Sequence, residues 1–539
     1  MRAATMADRA EETVPTREIS GSSDTRTKAS AWWCVPAYFV FALLAGMTAS
    51  IEVDLYGQIA CRAVAASDGT FPQPTFPFLD SRVSKEQDEW MALCRSSPIV
   101  QKRTTSVVTT VLLVAGILSA LTAAWWGSLS DRKGRKIVLA FISASETIQA
   151  IMMLLVLAFP QTFGFGFLLF MAAIAGLSGG QLAAATIAAA YLGDTSQAAS
   201  KTQLLSFYEA SEFAGQAVGP LIGPLLMRSW KLGPATPYTL SIFARLAYLA
   251  VIFLMPESLT PEKRKLSAVN TDGDDLASNK PATPLIKRLL AAPKELIEPF
   301  RILLPEKVNG RRDYKLLLVA SSYFFLMVIP GLGPVKVLYA RAKFGWAPEQ
   351  VGRWITYTSL CKLVVLTAVI PLLIRLLRKS KTAAGTPDDD GQQVETQPLL
   401  GNQSPDAEQS KERRANMNWD ASLALFGGIT TVFGYLVATI PTKRPTAFLS
   451  STALTAFAAT SPPALQSIAL TLAAPGDAGK VLACLSAIAT VSLSALGPTI
   501  FGAVNMIAID RWPEAIFVVA AAWVLASLVP LLALRLSRK

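Results

Sequence analysis

The sequence predicts an all-α membrane protein with twelve transmembrane helices, and two observations carry that prediction. The 539-residue chain is 52% hydrophobic and only 16% charged, and its mean hydropathy of +0.40 lies outside the usual range of soluble domains. Its apolar residues also form long runs of about 20, the length that crosses a hydrocarbon core about 30 Å thick. We therefore expect the chain to fold within a lipid bilayer.

Twelve apolar runs satisfy this length criterion. The first six predicted helices are 32–52, 105–126, 137–158, 164–190, 204–227 and 238–256. The second six are 315–335, 351–376, 419–440, 446–470, 481–506 and 513–535.

The charges of the chain predict its orientation. The formal net charge is +12, but the cations lie in polar segments between the apolar runs, which excludes a nucleic-acid partner as the first interpretation. Segment 257–314 alone holds eleven Lys and Arg residues, and the positive-inside rule places it in the cytoplasm with the amino terminus. The first predicted outer loop, 53–103, holds six such residues, but long loops follow the rule weakly.

A charged ten-residue turn between predicted helices 2 and 3 is the most specific motif. It reads Gly-Ser-Leu-Ser-Asp-Arg-Lys-Gly-Arg-Lys over residues 127–136, and it must lie in water. Gly127 is expected to let neighbouring helices approach closely, and Gly134 permits a turn with positive φ. Asp131 can accept hydrogen bonds from a helix N-terminus or pair with an arginine. The candidate gating residues are Gly127, Asp131, Arg132, Gly134, Arg135 and Lys136.

This pattern closely resembles the loop between helices 2 and 3 of the major facilitator superfamily of secondary transporters. Over residues 31–535 the chain looks most like its fungal members, related to the tetracycline-resistance, drug:proton antiporter and proton-coupled folate transporter branches. The resemblance implies two six-helix bundles, with helices 1, 4, 7 and 10 lining a central cavity and helices 5 and 8 packed across the interface.

The resemblance and the polar segments together predict the domain organisation. Residues 1–30 are expected to be a disordered cytoplasmic tail, 31–256 the first bundle and 315–539 the second. Between them, 257–314 is predicted to be a cytoplasmic linker with an amphipathic helix. A polar insert within the second bundle, 377–418, is predicted to be disordered and cytoplasmic.

Five ionisable residues fall at membrane depth, where charges are costly and usually functional. At 1.5 Å per residue, Glu146, Glu212 and Lys362 lie roughly 13, 12 and 16 Å into their helices. Glu209 shares a helix face with Glu212, and Arg245 lies in the middle of helix 6. Because the chain has no His, a proton carrier must be Asp, Glu or a perturbed Lys.

Two interpretations of these charges stay open. On the implied arrangement, Glu209 or Glu212 faces Lys362, either as an ion pair that breaks during alternating access or as a permanent structural pair. Glu146 and Arg245 belong to helices usually peripheral in this fold, which favours a structural role. Glu52 and Asp54, at the outer end of helix 1, are expected to be solvated.

Small residues mark further candidate positions. Helix 5 carries Gly215, Gly219, Pro220 and Gly223, which resembles the helix 5 signature of drug:proton antiporters, although Pro224 replaces its last Gly. The alternative is ordinary small-residue packing. Gly176, Gly179, Gly180 and Gln181 on helix 4, and Ser461, Pro462, Pro463 and Gln466 on helix 10, predict broken or closely packed cavity helices.

The first outer loop holds two of the five cysteines, Cys61 and Cys94. An oxidising exterior would allow them to form a disulfide that braces the loop, and the alternative is two free thiols.

The sequence therefore predicts a proton-coupled secondary transporter of a small organic solute. Export is favoured over import, and the alternatives are a proton-coupled importer or a non-transporting nutrient sensor with the same fold. The expected partners are the solute, protons and the bilayer, with the protein acting as a monomer in the plasma membrane rather than the vacuolar membrane. We expect no cofactor, no metal and no enzymatic activity.

Overall fold

A computed structural model describes most of the chain. The described residues are 30, 33–68, 85–159, 162–195, 201–229, 233–259, 298–303, 307–308, 311–369, 372, 405–442, 444–473 and 478–536. Nearly all of the predicted tail, and large parts of the predicted linker and insert, lie outside these ranges.

The predicted all-α fold is confirmed, and the described long helices group into twelve elements that match the twelve predicted crossings in order. The amino-terminal half contains α1 (Cys34–Asp68), α2 (Lys85–Ser96), α3 (Pro98–Lys133), α4 (Arg135–Ala158), α5 (Phe165–Leu177), α6 (Gly180–Thr195), α7 (Lys201–Ser229) and α8 (Ala235–Leu254). All but α2 belong to crossings, and α5 and α6 together form the fourth.

The carboxy-terminal half contains the other six crossings. Its helices are α9 (Lys315–Val328), α10 (Gly333–Phe344), α11 (Pro348–Val364), α12 (Pro405–Ala438), α13 (Thr446–Thr455), α14 (Ser461–Leu472), α15 (Ala478–Val491), α16 (Gly497–Ala508) and α17 (Ala515–Leu536). Short 3-10 segments, Ile329–Leu332 and Ala456–Thr460, join α9 to α10 and α13 to α14. A π-helical turn, Ser492–Leu496, joins α15 to α16, and another, Val365–Val369, follows α11.

Eight helical segments in the described residues are long and apolar enough to cross a membrane unaided. They form the first, second, third, sixth, seventh, ninth, eleventh and twelfth crossings. The fourth and tenth are each built from two shorter helices, and the fifth and eighth are α7 and α11. The fourth breaks at Gly179 and Gly180, whose φ angles of 83° and 60° favour glycine. This break agrees with the predicted broken helix.

Two boundaries differ most from the prediction. Helix 1 continues to Asp68 instead of ending at 52, and α2 and the start of α3 occupy residues 85–103 of the predicted outer loop, of which 69–84 lie outside the described residues. The charges at Glu52 and Asp54 suggested a membrane exit, but Asp54 pairs with Arg95 and Arg341 on other helices and Glu52 accepts a hydrogen bond from Tyr56 on its own helix, so the helix continues. The insert was expected to be disordered to 418, yet α12 begins at Pro405, in a stretch rich in strong helix formers.

The described part of the linker is short. Glu298–Leu303 forms a 3-10 helix, and strands β1 (Lys307–Val308) and β2 (Arg311–Arg312) pair antiparallel, with Lys307 opposite Arg312. The predicted amphipathic helix lies largely outside the described residues.

The buried apolar residues show how the two halves meet. The largest cluster takes residues from both halves, including Leu55 and Val107 from one and Leu332 and Phe501 from the other. These residues lie toward the end of the molecule that carries Cys61, which we call the disulfide end. Toward the opposite end, which carries Asp131 and which we call the loop end, each half has its own cluster. The halves thus share one core at the disulfide end and have separate cores at the loop end.

Candidate functional site

A cavity of about 700 Å³ lies between the halves, where the shared core gives way to the two separate ones. Most of its wall comes from the amino-terminal half, through α1, α3, α4, α5, α6, α7 and α8. The other half contributes Pro330, Pro334, Ser494 and a few neighbours. Because Tyr38, near the start of α1, and Ala185, late in the fourth crossing, also line it, the cavity extends toward the loop end.

Glu212 reaches this cavity from the middle of α7. It accepts hydrogen bonds from the Tyr38 hydroxyl, at 3.2 Å, and from Nε2 of Gln216, at 2.9 Å. The Tyr38 ring stacks on Tyr208 with 4.0 Å between centroids, which holds the hydroxyl in place. The carboxylate is therefore oriented by neutral donors.

The predicted contact between Glu212 and Lys362 is not formed in this conformation. The two charges interact electrostatically, but no ion pair within 4.0 Å joins them in the described part of the chain. Helices α7 and α11 cross nearer the disulfide end, where the Thr356 hydroxyl donates to the carbonyl oxygen of Ala217 at 2.6 Å. The side chain of Glu209 lies outside the described residues.

Glu146 and Arg245 form an ion pair at the cavity wall. Nη1 of Arg245 lies 2.7 Å from Oε2 of Glu146, and both side chains are largely buried. The guanidinium also lies over the Phe41 ring, 5.9 Å from its centroid. The sequence placed these residues on peripheral helices, whereas both line the cavity, as does Gln181.

Glu52, which was expected to be solvated at the outer end of helix 1, instead lines the cavity. It lies on α1 and accepts a hydrogen bond of 2.5 Å from the Tyr56 hydroxyl one turn later. Together with Glu146 and Glu212, it brings the carboxylates at the cavity to three.

Asp54 was also expected to be solvated, and it is buried. Its carboxylate lies 2.6 Å from Nη2 of Arg341 and 3.4 Å from Nη2 of Arg95, and Gln58 donates to it at 2.9 Å. Arg341 belongs to the other half of the protein and donates also to the carbonyl oxygen of Val53 at 2.6 Å. Partners 41 and 287 positions away in the sequence gave no local signal of this burial.

Further interactions join the halves at the disulfide end. Lys102 pairs with Asp510, and Nδ2 of Asn505 donates to the Thr105 hydroxyl at 2.9 Å. With the Asp54–Arg341 pair and the shared core, they close this end of the cavity.

The structure pairs Cys61 with Cys94 in a disulfide. The bond ties α2 to the extended end of α1, and Trp90 and Val100 pack around it. Because Cys94 directly precedes Arg95, the disulfide also holds that arginine beside Asp54.

The charged turn at the loop end is tied to its own half. Gly134 separates α3 from α4 with a φ of 112°. Arg135 lies 2.6 Å from Asp131, and its Nε lies 3.3 Å from Asp194. The carboxylate of Glu257, just after α8, accepts the backbone N–H groups of Arg135 and Lys136 at 2.9 and 3.2 Å, so it caps the start of α4.

The close helix approach expected at Gly127 is not found. No described heavy atom lies within 4 Å of the position that a Cβ would occupy there. Within the described part of the chain, the face of α3 that carries Gly127 is therefore open, although the neighbouring Trp126 donates to the carbonyl oxygen of Leu177 on the fourth crossing. Arg132 is also part of this turn, and it is partly buried.

The small residues of α7 form a packing face. A methyl group added at Gly215, Gly219 or Gly223 would collide with backbone oxygens of α1, at Phe39, Leu43 and Met47 respectively. Both series are spaced by four residues, so two helices lie in close contact along one stripe. On the other side of α7, the Pro220 carbonyl lies against Gly352 of α11.

Several cavity residues carried no usable signal in the sequence. Tyr38, Tyr238 and Ser241 fall within apolar runs and have no motif. Outside the cavity lining, Lys336 lay just past the predicted end of helix 7, and its ammonium lies over the Tyr435 ring at 4.9 Å. The run of apolar residues beyond 335 could have extended that helix and flagged Lys336 as an intramembrane charge.

Comparison with known proteins identifies the family. Residues 61–385 match the family model described as Major Facilitator Superfamily. The chain belongs to the major facilitator superfamily. It is therefore a multi-pass membrane protein of a family of secondary transporters, and the predicted family is confirmed.

Individual relatives are more distant. The chain is 26% identical over 360 residues to MFS-type transporter avaJ of Aspergillus versicolor, across 66% of this chain and 64% of that protein. It is 26% identical over 251 residues to Efflux pump ustT of Aspergillus flavus, across 46% and 48% of the two chains. The alignment thus spans less than two thirds of either relative.

Among solved structures, the human organic anion transporter MFSD10 (TETRAN) superposes with a TM-score of 0.57 at 16% identity. The match covers 94% of this chain and 99% of that one. At this identity, the likeness concerns the fold alone.

Proposed function

We propose that this protein is a proton-coupled secondary transporter that exports a small organic solute across the plasma membrane. The observation that carries the proposal is the cavity between the halves, with the carboxylate of Glu212 at its wall. A volume of about 700 Å³ suits a ligand of drug size.

The mechanism of alternating access is based on the shared core at the disulfide end and the separate cores at the loop end. The halves, as bundles 31–256 and 315–539, rock about the cavity, so that the shared core at the disulfide end opens while the loop end closes. The Asp54–Arg341 pair breaks in that motion, because its partners lie on opposite halves. The Asp131 turn then meets the other half, and Gly127 gains the close neighbour it lacks here. The protein needs only a single chain for this cycle.

Proton coupling rests on Glu212. The chain has no His, so an acidic residue at the cavity is the natural carrier. Glu212 interacts with Lys362, which lies on the opposite half. Because rocking changes the separation of these two charges, it changes the proton affinity of Glu212, which couples protonation to conformation.

Export is supported by two features. The glycine face of α7 resembles the helix 5 signature of drug:proton antiporters, and one relative carries the name of an efflux pump. A sensor that keeps the fold without transporting would show no solute flux, and an importer would show flux in the opposite direction.

Purified protein in liposomes tests the proposal. Glu212→Gln keeps the shape of the side chain but cannot ionise, so we expect gradient-driven flux to be lost while solute binding stays. Glu89→Gln, at an exposed position on α2, is the matched control and should transport normally.

A second set of variants separates a coupling role from a structural one. If Glu212 and Lys362 were only a structural pair, each single variant would lose folded protein, and the double variant would recover it. Unchanged proton coupling in Glu212→Gln would refute the role of this residue.

A further inference from the structure

The charges around the cavity do not balance. Among its described lining residues are three carboxylates, of Glu52, Glu146 and Glu212, and one cation, Arg245. Arg245 is paired with Glu146. The described hydrogen-bond partners of the other two carboxylates are neutral donors. The wall therefore carries an excess of two negative charges when its acids are ionised.

The proposed proton coupling uses one of these two negative charges, that of Glu212. If Glu212 carries the proton, and Lys362 acts on it from the opposite half, Glu52 has no such function. The ionisable groups that interact with Glu52 are Tyr56 on its own helix, Glu146 on α4 and Tyr238 on α8. None of them is a cation, so Glu52 lacks a positive partner within the described residues.

Two buried hydroxyls point to a ligand beside this acid. Tyr238 and Ser241 lie one turn apart on α8 and line the cavity, and these residues are only 4% and 1% exposed. Neither hydroxyl has a hydrogen-bond partner in the described part of the structure. Buried polar groups are rarely left unpaired, so each hydroxyl needs a partner from the cavity, and a bound solute can supply it in place of water.

We propose that the transported solute is an organic cation, a protonated amine with an apolar body, whose ammonium group binds Glu52 while the hydroxyls of Tyr238 and Ser241 accept its remaining N–H groups. An ammonium has three N–H donors and no acceptor, which matches one carboxylate and two hydroxyl oxygens. The apolar body lies against the cavity wall, which includes Leu112 and Met153. This inference rests on the proposed transport function and specifies its substrate class.

Binding measurements test the substrate class without a proton gradient. The purified full-length protein is titrated with the ammonium cations phenethylammonium and tryptammonium, and with the anions phenylacetate and indole-3-acetate. We expect the cations to bind tighter than the anions of similar size. In Glu52→Gln, cation affinity should fall about ten- to a hundredfold, the usual effect of losing a charge-assisted hydrogen bond, with the anions unaffected.

Two further variants complete the test. Tyr238→Phe removes only the hydroxyl and should weaken phenethylammonium binding several-fold, whereas Glu89→Gln should change nothing. Thermal melting of each variant without ligand verifies that the fold is kept. Equal or tighter binding of the anions, no binding of either cation, or cation binding that is insensitive to Glu52→Gln would each overturn the proposal.

Flux in liposomes keeps the two proposals distinct. Glu52-dependent cation binding without proton-driven flux would refute the coupled transport function and leave the cation site standing. Proton-driven flux of the anions in preference to the cations would refute the cation site and leave coupled transport standing.

Discussion

Removing the charge of Asp54 should open the disulfide end. Its side chain is only 5% exposed and faces two guanidinium groups, Arg341 at 2.6 Å and Arg95 at 3.4 Å. Asp54→Asn leaves the buried Arg341 and the partly buried Arg95 without a carboxylate, and breaking a buried pair in this way costs about 3–5 kcal/mol. The cost falls on the closed conformation, because opening separates the halves and lets water reach the arginines.

The size of the expected shift follows from that cost. Each 1.4 kcal/mol changes an equilibrium about tenfold, so the population ratio should move toward the open disulfide end by about two to nearly four decades. Arg341→Gln should move it less, because Arg95 still neutralises Asp54. Asp510→Asn provides a matched control, since the Lys102–Asp510 pair also joins the halves at this end but is 42% and 44% exposed. An exposed pair contributes about 0–1 kcal/mol.

Distance measurements between spin labels check this prediction. Labels at Ile99→Cys and Trp512→Cys, both exposed at the disulfide end, report its opening. The free cysteines Cys34, Cys361 and Cys484 are first replaced by alanine, and the disulfide is kept. We expect a longer distance to dominate in Asp54→Asn and the parental distance to dominate in Asp510→Asn. If the two variants gave the same distribution, the closing role of the buried pair would be refuted.

Two other substitutions probe the loop end and the helix packing. Asp131→Asn should cut transport severely while leaving membrane insertion and folded yield intact. The Asp131 side chain is 47% exposed, so its pair with Arg135 adds little stability. Normal flux in reconstituted liposomes would contradict the gating role. Gly219→Ala should lower the free energy of unfolding by about 1–3 kcal/mol, and with it the melting temperature, because its methyl group collides with the backbone oxygen of Leu43. Gly164→Ala, where the added carbon meets no described atom within 4 Å, is the control, and equal melting temperatures for the two would show that the α1–α7 contact is not tight.

The number and order of the membrane crossings could be predicted from the sequence because they depend on local quantities. A run of about 20 apolar residues crosses the bilayer whatever it packs against, so the lengths of such runs determine a helix count. The charged turn at 127–136 was equally local, since the glycine, the acid and the cations that define it lie within ten residues. The four-residue spacing on α7 indicated close packing for the same reason, but not against which helix.

Contacts between residues that are remote in the sequence were decided only by the tertiary structure. Glu52 and Asp54 are two residues apart on one helix, and the sequence placed both in water. The fold instead turns one toward a cavity and buries the other against Arg341, 287 positions away. Glu146 and Arg245 likewise became a pair only when α4 and α8 came together. The energy of a buried charge depends on which groups surround it, and that is a property of the packed helices rather than of the chain.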